Sequence, residues 1–373
     1  MPPVADIIRA EIAKHGPIPF ARFMERALYC PECGFYEKEK DKVGRAGDFY
    51  TSVSVGPLFG ELLGFQFALW FAQQDLASLR LIEAGAHDGR LAADILNWLK
   101  QQRPEIFART EYCLLEPSPR RRQWQSETLA AFADRVRWAD NLTDRTQRHS
   151  PAPFTLIFSN ELLDAMPLHR FGWDAAKRHW FEWGVAAEGE RFVWTRLTPA
   201  PLHGAADGGF PELPTDPELL DVLPDGFTVE FSPAAEQWWR AAAQSLTDGK
   251  LLAFDYGHEA THVLLPERPN GTLRAYRLHK HVEDVLADPG EQDLTAHVNF
   301  TRIEQAGRAA GLKTETLETQ GQFLTKLVSV AWQPASHFGG WDAKRTRQFQ
   351  TLTHPEHLGR NFRVLVQSRG CNS

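Results

Sequence analysis

The chain has 373 residues, 43% of them apolar and 24% charged, with 48 acidic against 41 basic side chains and a net charge of −7. A chain of this length and composition builds a core without disulfides or metal, which excludes a largely disordered protein. The acidic balance argues against a broad nucleic-acid surface. The longest apolar-rich run, 58–72, contains Glu61 and Gln66 and is too short to span a bilayer.

Residues 1–75 read as helices and loops, with Val4, Ile7, Ile8 and Ile12 at helical spacing. The stretch 1–14 has no leader-like apolar run, and four cysteines in so long a chain point to a reducing compartment, so a cytoplasmic place is expected. Residues 43–57 form a glycine-containing loop that enters an amphipathic helix at Leu58. An alternation follows: strand at 79–84, helix at 89–101, strand at 111–115, helix at 119–133, then strands at 136–139 and 154–159. Short apolar strands alternating with helices imply parallel βαβ units.

The alternation breaks after Pro167. Residues 168–197 show two or three strand-like runs, and 198–226 are rich in Pro, Gly and Asp and read as an exposed loop. A helix is expected over 232–246, capped by Ser232 with Pro233 in its first turn. Strand 250–255 is the expected fifth of the sheet, 257–293 reads as irregular, and helix 300–310 precedes strand 312–317. The remainder is mixed and yields no clear elements. The expected segments are an N-terminal helical cap (1–78), a core (79–167 and 231–330), an inserted β-rich lid (168–230) and a C-terminal extension completing the core (331–373).

In Leu81-Ile-Glu-Ala-Gly-Ala-His-Asp-Gly-Arg90 the turn after the first strand spaces Glu83, Gly85 and Gly89 as E-x-G-x-x-x-G. That is not the dinucleotide fingerprint. A carboxylate there would repel a pyrophosphate but would suit a sulfonium and an amino group, so S-adenosylmethionine fits better than NAD. Glu116, after the second strand, is placed to accept ribose hydroxyls, and Asp140, after the third, an adenine amino group. After the fourth strand, Asn160, Glu161 and Asp164 are expected to handle the methyl acceptor. Glu161 and Asp164, three apart, would share one face of a helical turn and grip a guanidinium through paired hydrogen bonds. Positioning would carry most of such a methyl transfer.

Several further runs, Phe20-Ala-Arg-Phe-Met-Glu-Arg-Ala-Leu-Tyr29, Gly44-Arg-Ala-Gly-Asp-Phe-Tyr-Thr51, Asn160-Glu-Leu-Leu-Asp-Ala-Met-Pro167, Phe254-Asp-Tyr-Gly257 and Asp293-Leu-Thr-Ala-His-Val-Asn-Phe300, together resemble the MidA family over about residues 10–330. These are S-adenosylmethionine-dependent methyltransferases related to a mitochondrial complex I assembly factor that methylates a protein arginine. The resemblance implies an α/β class I methyltransferase fold, a Rossmann-like doubly wound sheet with an N-terminal helical region and an inserted β-rich lid. It implies S-adenosylmethionine as cofactor and a protein arginine of a respiratory complex as substrate. Nucleic acid, a membrane span and a metal are not expected. Gly47 and Thr51 join Glu83, Gly85, Gly89, Glu116, Asp140 and Asn160 on the cofactor side. His297 joins Asn160, Glu161 and Asp164 on the catalytic side, as a general base or an orienting group.

The chain departs from the family pattern where Ala86 and His87 replace Pro and Gly, and where Thr51-Ser-Val-Ser54 lacks the family's glutamate. These departures leave open a catalytically weak or inactive assembly factor, and pocket size leaves open a small-molecule methyltransferase. Cys30-Pro-Glu-Cys33 has redox-like and zinc-like spacing. Zinc needs about four ligands and no second pair exists, so the spacing is read as coincidental. Of 12 tryptophans, Trp173, Trp180, Trp183 and Trp194 fall in the insertion and Trp70 ends the N-terminal helix. They are expected either to line the lid around substrate or to pack the insertion.

Overall fold

A computed structural model describes residues 3–31, 33–38, 51–74, 78–142, 154–197, 213–259, 268–277 and 280–370. The chain divides into two compact units, one of residues 40–162, 239–257 and 304–373, the other of 1–39, 163–238 and 258–303.

The first unit is built on a seven-stranded path: β1 (Leu79–Ala84), β2 (Thr110–Leu115), β3 (Val136–Ala139), β4 (Phe154–Asn160), β5 (Gly249–His258), β6 (Lys313–Thr319) and β7 (Phe362–Arg369). The order is β6-β7-β5-β4-β1-β2-β3. Strands β1 to β5 pair in parallel, and β7 runs antiparallel to both β5 and β6. This is the Rossmann-like α/β sheet expected from the sequence. The strand order reverses between β1 and β4, and in such sheets ligands bind in the crevice at the carboxyl ends of the strands there.

The helix Leu58–Ala72 buries nearly all of its faces, including Leu58, Phe59, Leu62, Leu63, Phe65, Phe67 and Phe71, rather than one apolar stripe as expected. Glycine explains the difference. A Cβ on Gly60 would lie 2.5 Å from Cβ of Asp94, so glycine there lets the helix Arg90–Gln102 approach backbone to side chain. The C-terminal stretch that sequence could not assign supplies helices Gln320–Ala331 and Ala343–Thr353 and strand β7, buried from Phe362 to Ser368 except Arg363.

The second unit carries helices Val4–His15 and Phe20–Tyr29 on an antiparallel sheet. In that sheet His179–Glu188 pairs with His169–Asp174, Arg191–Leu197 and Ile18–Pro19, and His169–Asp174 also pairs with Thr228–Phe231. Residues expected to be irregular form a smaller sheet of Lys280–Val282, Arg274–Arg277 and Asp293–Thr295. These strands are three or four residues long, too short to show a period of two in sequence.

The units therefore cut the chain differently from the expected segments. The first two helices go with the antiparallel sheet because Phe20 packs tilted against Trp194 and Phe23 edge-on against Phe192. The insertion's tryptophans pack within this unit: Trp173 is buried against Trp180, Trp180 donates to the Pro214 carbonyl, and Trp183 to Thr228.

Candidate functional site

The turn after β1 is a left-handed corner. Gly85 (φ +75°), His87 (φ +46°) and Gly89 (φ +84°) all occupy the region that favours glycine, so the family's middle glycine is replaced by histidine at a position that strains a side chain. A Cβ on Gly85 would lie 3.0 Å from Leu162, so the loop runs close against the chain leaving β4. Gly89 caps the helix Arg90–Gln102, whose N-terminus opens at this corner.

Glu83 is buried on β1 and accepts a 2.6 Å hydrogen bond from the Tyr112 hydroxyl of β2. Burial pushes its carboxyl up to about 7, with Tyr112 pulling the other way and Asp88 adding to the rise. The sequence reading took Glu83 as a standing carboxylate. In the fold it is poised between acid and carboxylate near neutral pH, because water is excluded from it.

Glu116, 2% exposed, follows β2. One carboxylate oxygen accepts from the Ser118 backbone N–H (3.0 Å) and the other from Gln125 Nε2 (3.1 Å), with Arg121 at 3.6 Å. Gln125 is fully buried and also donates to the His87 carbonyl (3.0 Å) and accepts from Trp138 Nε1 (2.8 Å). It thus ties the first loop, Glu116 and β3 together. Sequence reasoning missed it, since a glutamine in a polar helix reads as surface. Asp140 is exposed beyond β3 and pairs with Arg122, whose Nε donates to the Glu116 carbonyl.

At the end of β4, Asn160 Nδ2 donates to Glu161 Oε1 (3.0 Å), and the same oxygen accepts from the Ser52 N–H (3.1 Å). Glu161 has φ +53°, outside helical space, and its N–H donates to the Phe254 carbonyl. The Leu162 N–H donates to Asp255 Oδ2 (3.1 Å), and the Tyr256 N–H to Asp255 Oδ1 (2.8 Å). Asp255 is fully buried. It lay inside a recognised motif, but only the fold reveals that it holds the strained corner. Asn160 Oδ1 and Ser159 Oγ are buried without a hydrogen-bond partner among the described residues. Two unanswered polar atoms at the carboxyl end of β4, beside a glycine corner, fit a ligand that brings donors. Thr51 caps the turn to Ser54 (3.0 Å). Gly47 lies outside the described residues.

The expected helical turn joining Glu161 to Asp164 does not form. The left-handed Glu161 breaks it, and no helix runs over 161–164, so the two acids share no helical face.

In the second unit, Asp164 and His297 line a small pocket of about 40 Å³ with Glu230, Ser232, Glu236 and Arg302. The Asp164 carbonyl accepts from the Ala296 N–H (2.9 Å), and the His297 N–H donates to Thr272 Oγ1 (2.9 Å). Burial pushes the His297 imidazole down to about 3, helped by His258, Arg268 and Arg274. At neutral pH it is an uncharged hydrogen-bonding group. A base with so low a pKa is far from the operating pH, which weighs against the general-base role and for an orienting one. Glu236 is held by Arg302 (2.6 Å), and Glu230 by Arg170, Thr272 and the Leu273 N–H.

A family model described as S-adenosyl-L-methionine-dependent methyltransferase matches residues 62–317. The mouse protein arginine methyltransferase NDUFAF7, mitochondrial, is 28% identical over 94% of this chain and 81% of its own length. Its Drosophila melanogaster homologue is 26% identical over 98% and 85%. A crystal structure of a superfamily member from Burkholderia thailandensis bound to S-adenosyl-homocysteine superposes with TM-score 0.82 and 31% identity, covering 99% of this chain and 92% of that one. The mitochondrial names of the animal relatives overturn the cytoplasmic expectation. Sparse cysteines argue against an oxidising compartment and do not choose among the others.

Proposed function

The chain belongs to the S-adenosyl-L-methionine-dependent methyltransferase family matched over 62–317, and within it we propose that the acceptor is an arginine side chain of a protein. The observation that carries this reading is the match, over 94% and 98% of this chain, to relatives named protein arginine methyltransferases. The enzyme uses S-adenosylmethionine, which supplies an electrophilic methyl group.

On this reading the residues of the first unit hold the cofactor. The Gly85–Gly89 corner brings backbone close, as its left-handed glycines allow. Asn160 Oδ1 accepts from an amino group, which answers the buried acceptor left over in the fold. Glu83 takes its charged form when a cation adjoins it, since a positive neighbour offsets the cost of burial. Glu116 meets the ribose with a carboxylate already oriented by Ser118 and Gln125, and Asp140 lies at the adenine end. The Ser52 N–H braces Glu161, which contributes negative charge to the acceptor side. His297, neutral, orients rather than deprotonates.

Transfer of labelled methyl from S-adenosylmethionine into proteins of a lysate tests the proposal. Acid hydrolysis of the labelled band is expected to release methylarginine. Label recovered only in other amino acids, or only in small molecules, overturns the arginine assignment while leaving the methyltransferase intact.

A further inference from the structure

The Cys30-Pro-Glu-Cys33 spacing, set aside above, takes on chemical meaning in the fold. Both residues are thiols, and their Sγ atoms lie 2.9 Å apart. The helix Phe20–Tyr29 ends at Cys30, and the chain turns back at once: the Gly34 N–H donates to the Cys30 carbonyl at 2.8 Å and the Cys33 N–H to the same oxygen at 3.3 Å. Glycine is required at 34, because a Cβ there would lie 2.6 Å from the Leu28 carbonyl oxygen. Gly34 therefore lets the chain after Cys33 fold back on the end of the helix. Cys30 is 6% exposed and Cys33 is half-buried. Among the described residues no group of three or more metal-ligating side chains gathers.

We propose that Cys30 and Cys33 are a reversible dithiol–disulfide site that exchanges with low-molecular-weight disulfides. The Cys33 thiolate, the more accessible sulfur, attacks one sulfur of glutathione disulfide, forming a mixed disulfide and releasing one glutathione thiolate. The Cys30 thiol then loses its proton and attacks Cys33 Sγ, expelling the second glutathione thiolate. The two cysteines are oxidised to one disulfide, glutathione disulfide is reduced to two glutathiones, and the two protons end on the released thiolates. The bond closes a turn flanked by two tyrosines: Tyr29 donates to the Ala165 carbonyl (3.0 Å) and Tyr36 to Asp293 (2.7 Å).

The test equilibrates the full chain with glutathione disulfide, blocks remaining thiols by alkylation, and reads intact and peptide masses. The expected product has lost two hydrogens, with Cys30 and Cys33 protected, Cys113 and Cys371 alkylated after denaturation, and full reversal by dithiothreitol. In Cys30→Ala the reaction should stop with one glutathione on Cys33. In Cys33→Ala the two-hydrogen loss at this turn should vanish, which keeps the test valid if the buried Cys30 variant misfolds. A mixed disulfide that persists on Cys33 in the unsubstituted chain overturns the proposal. So does alkylation of both thiols after the oxidant, or protection that zinc confers and a chelator removes.

Discussion

Each of the two compact units buries a titratable side chain that the sequence reading had assigned to chemistry, and burial drives both toward the neutral form in opposite directions on the pH scale. In the parallel-sheet unit Glu83 rises to about 7, while in the antiparallel unit His297 falls to about 3. The difference matters at neutral pH. Glu83 can still change its charge in response to a cationic ligand, whereas His297 is fixed as an uncharged group. Exclusion from water thus leaves Glu83 electrostatically responsive and His297 electrostatically silent, because one is an acid and the other a base.

The largest effect should come from the unanswered acceptor at the end of β4. Asn160→Ala is expected to lower methyl transfer by about 100-fold or more, in the range lost when one positioned polar group leaves a reacting centre. Circular dichroism and the thermal transition should stay near those of the parent, and a rate within threefold of the parent would remove Asn160 from the site.

The Glu83 half of the comparison is a linkage experiment. Its folded pKa is raised, so the folded state binds more protons than the unfolded one between the ordinary value of 4.5 and about 7. Stability is therefore highest below that window and falls as pH rises through it, by about 3 kcal/mol at full shift. Glu83→Gln should flatten this slope in urea titrations. It should also erase any preference for S-adenosylmethionine over S-adenosylhomocysteine, which lacks the sulfonium charge, in calorimetry. An unchanged pH slope would mean that Glu83 is charged in the fold.

Asp255→Ala strips the Leu162 and Tyr256 N–H groups of their acceptor and should cost about 2 kcal/mol, with a similar loss of activity. A value near zero in denaturant titration would show that the strained Glu161 corner holds itself.

For the silent His297 the expectation is a missing effect. The folded pKa of His297 is depressed, so its linkage to stability runs the other way, with stability lost as pH falls from 6.5 toward 3. His297→Asn should lower the rate without moving the pH profile between 6 and 8. Disappearance of an acid limb near 6.5 in that variant would restore the general base. Smallest of all, Asp140→Ala should change stability by less than about 1 kcal/mol, because this carboxylate is exposed where it pairs with Arg122.

Strands β1 to β5 were legible as short runs bounded by turn residues, with β1 and β2 each followed by a helix. The acids that end β1, β2 and β3 were legible because they sit at fixed points in that alternation. β7 was not, since an antiparallel strand inserted from the far end of the chain has no neighbouring helix to announce it. Gln125 and Asp255 were not legible as organising residues either: their work is to satisfy backbone and carboxylate groups distant in sequence. The sequence by itself determined the layered α/β core, the cofactor class and the order of the acids, because these follow from hydrophobic period, glycine position and charge. Only the tertiary structure decided the protonation of Glu83 and His297, the left-handed break at Glu161 and the meeting of Cys30 with Cys33. Each of these depends on which groups lose water and which backbone turns close, and that is settled by packing rather than by spacing.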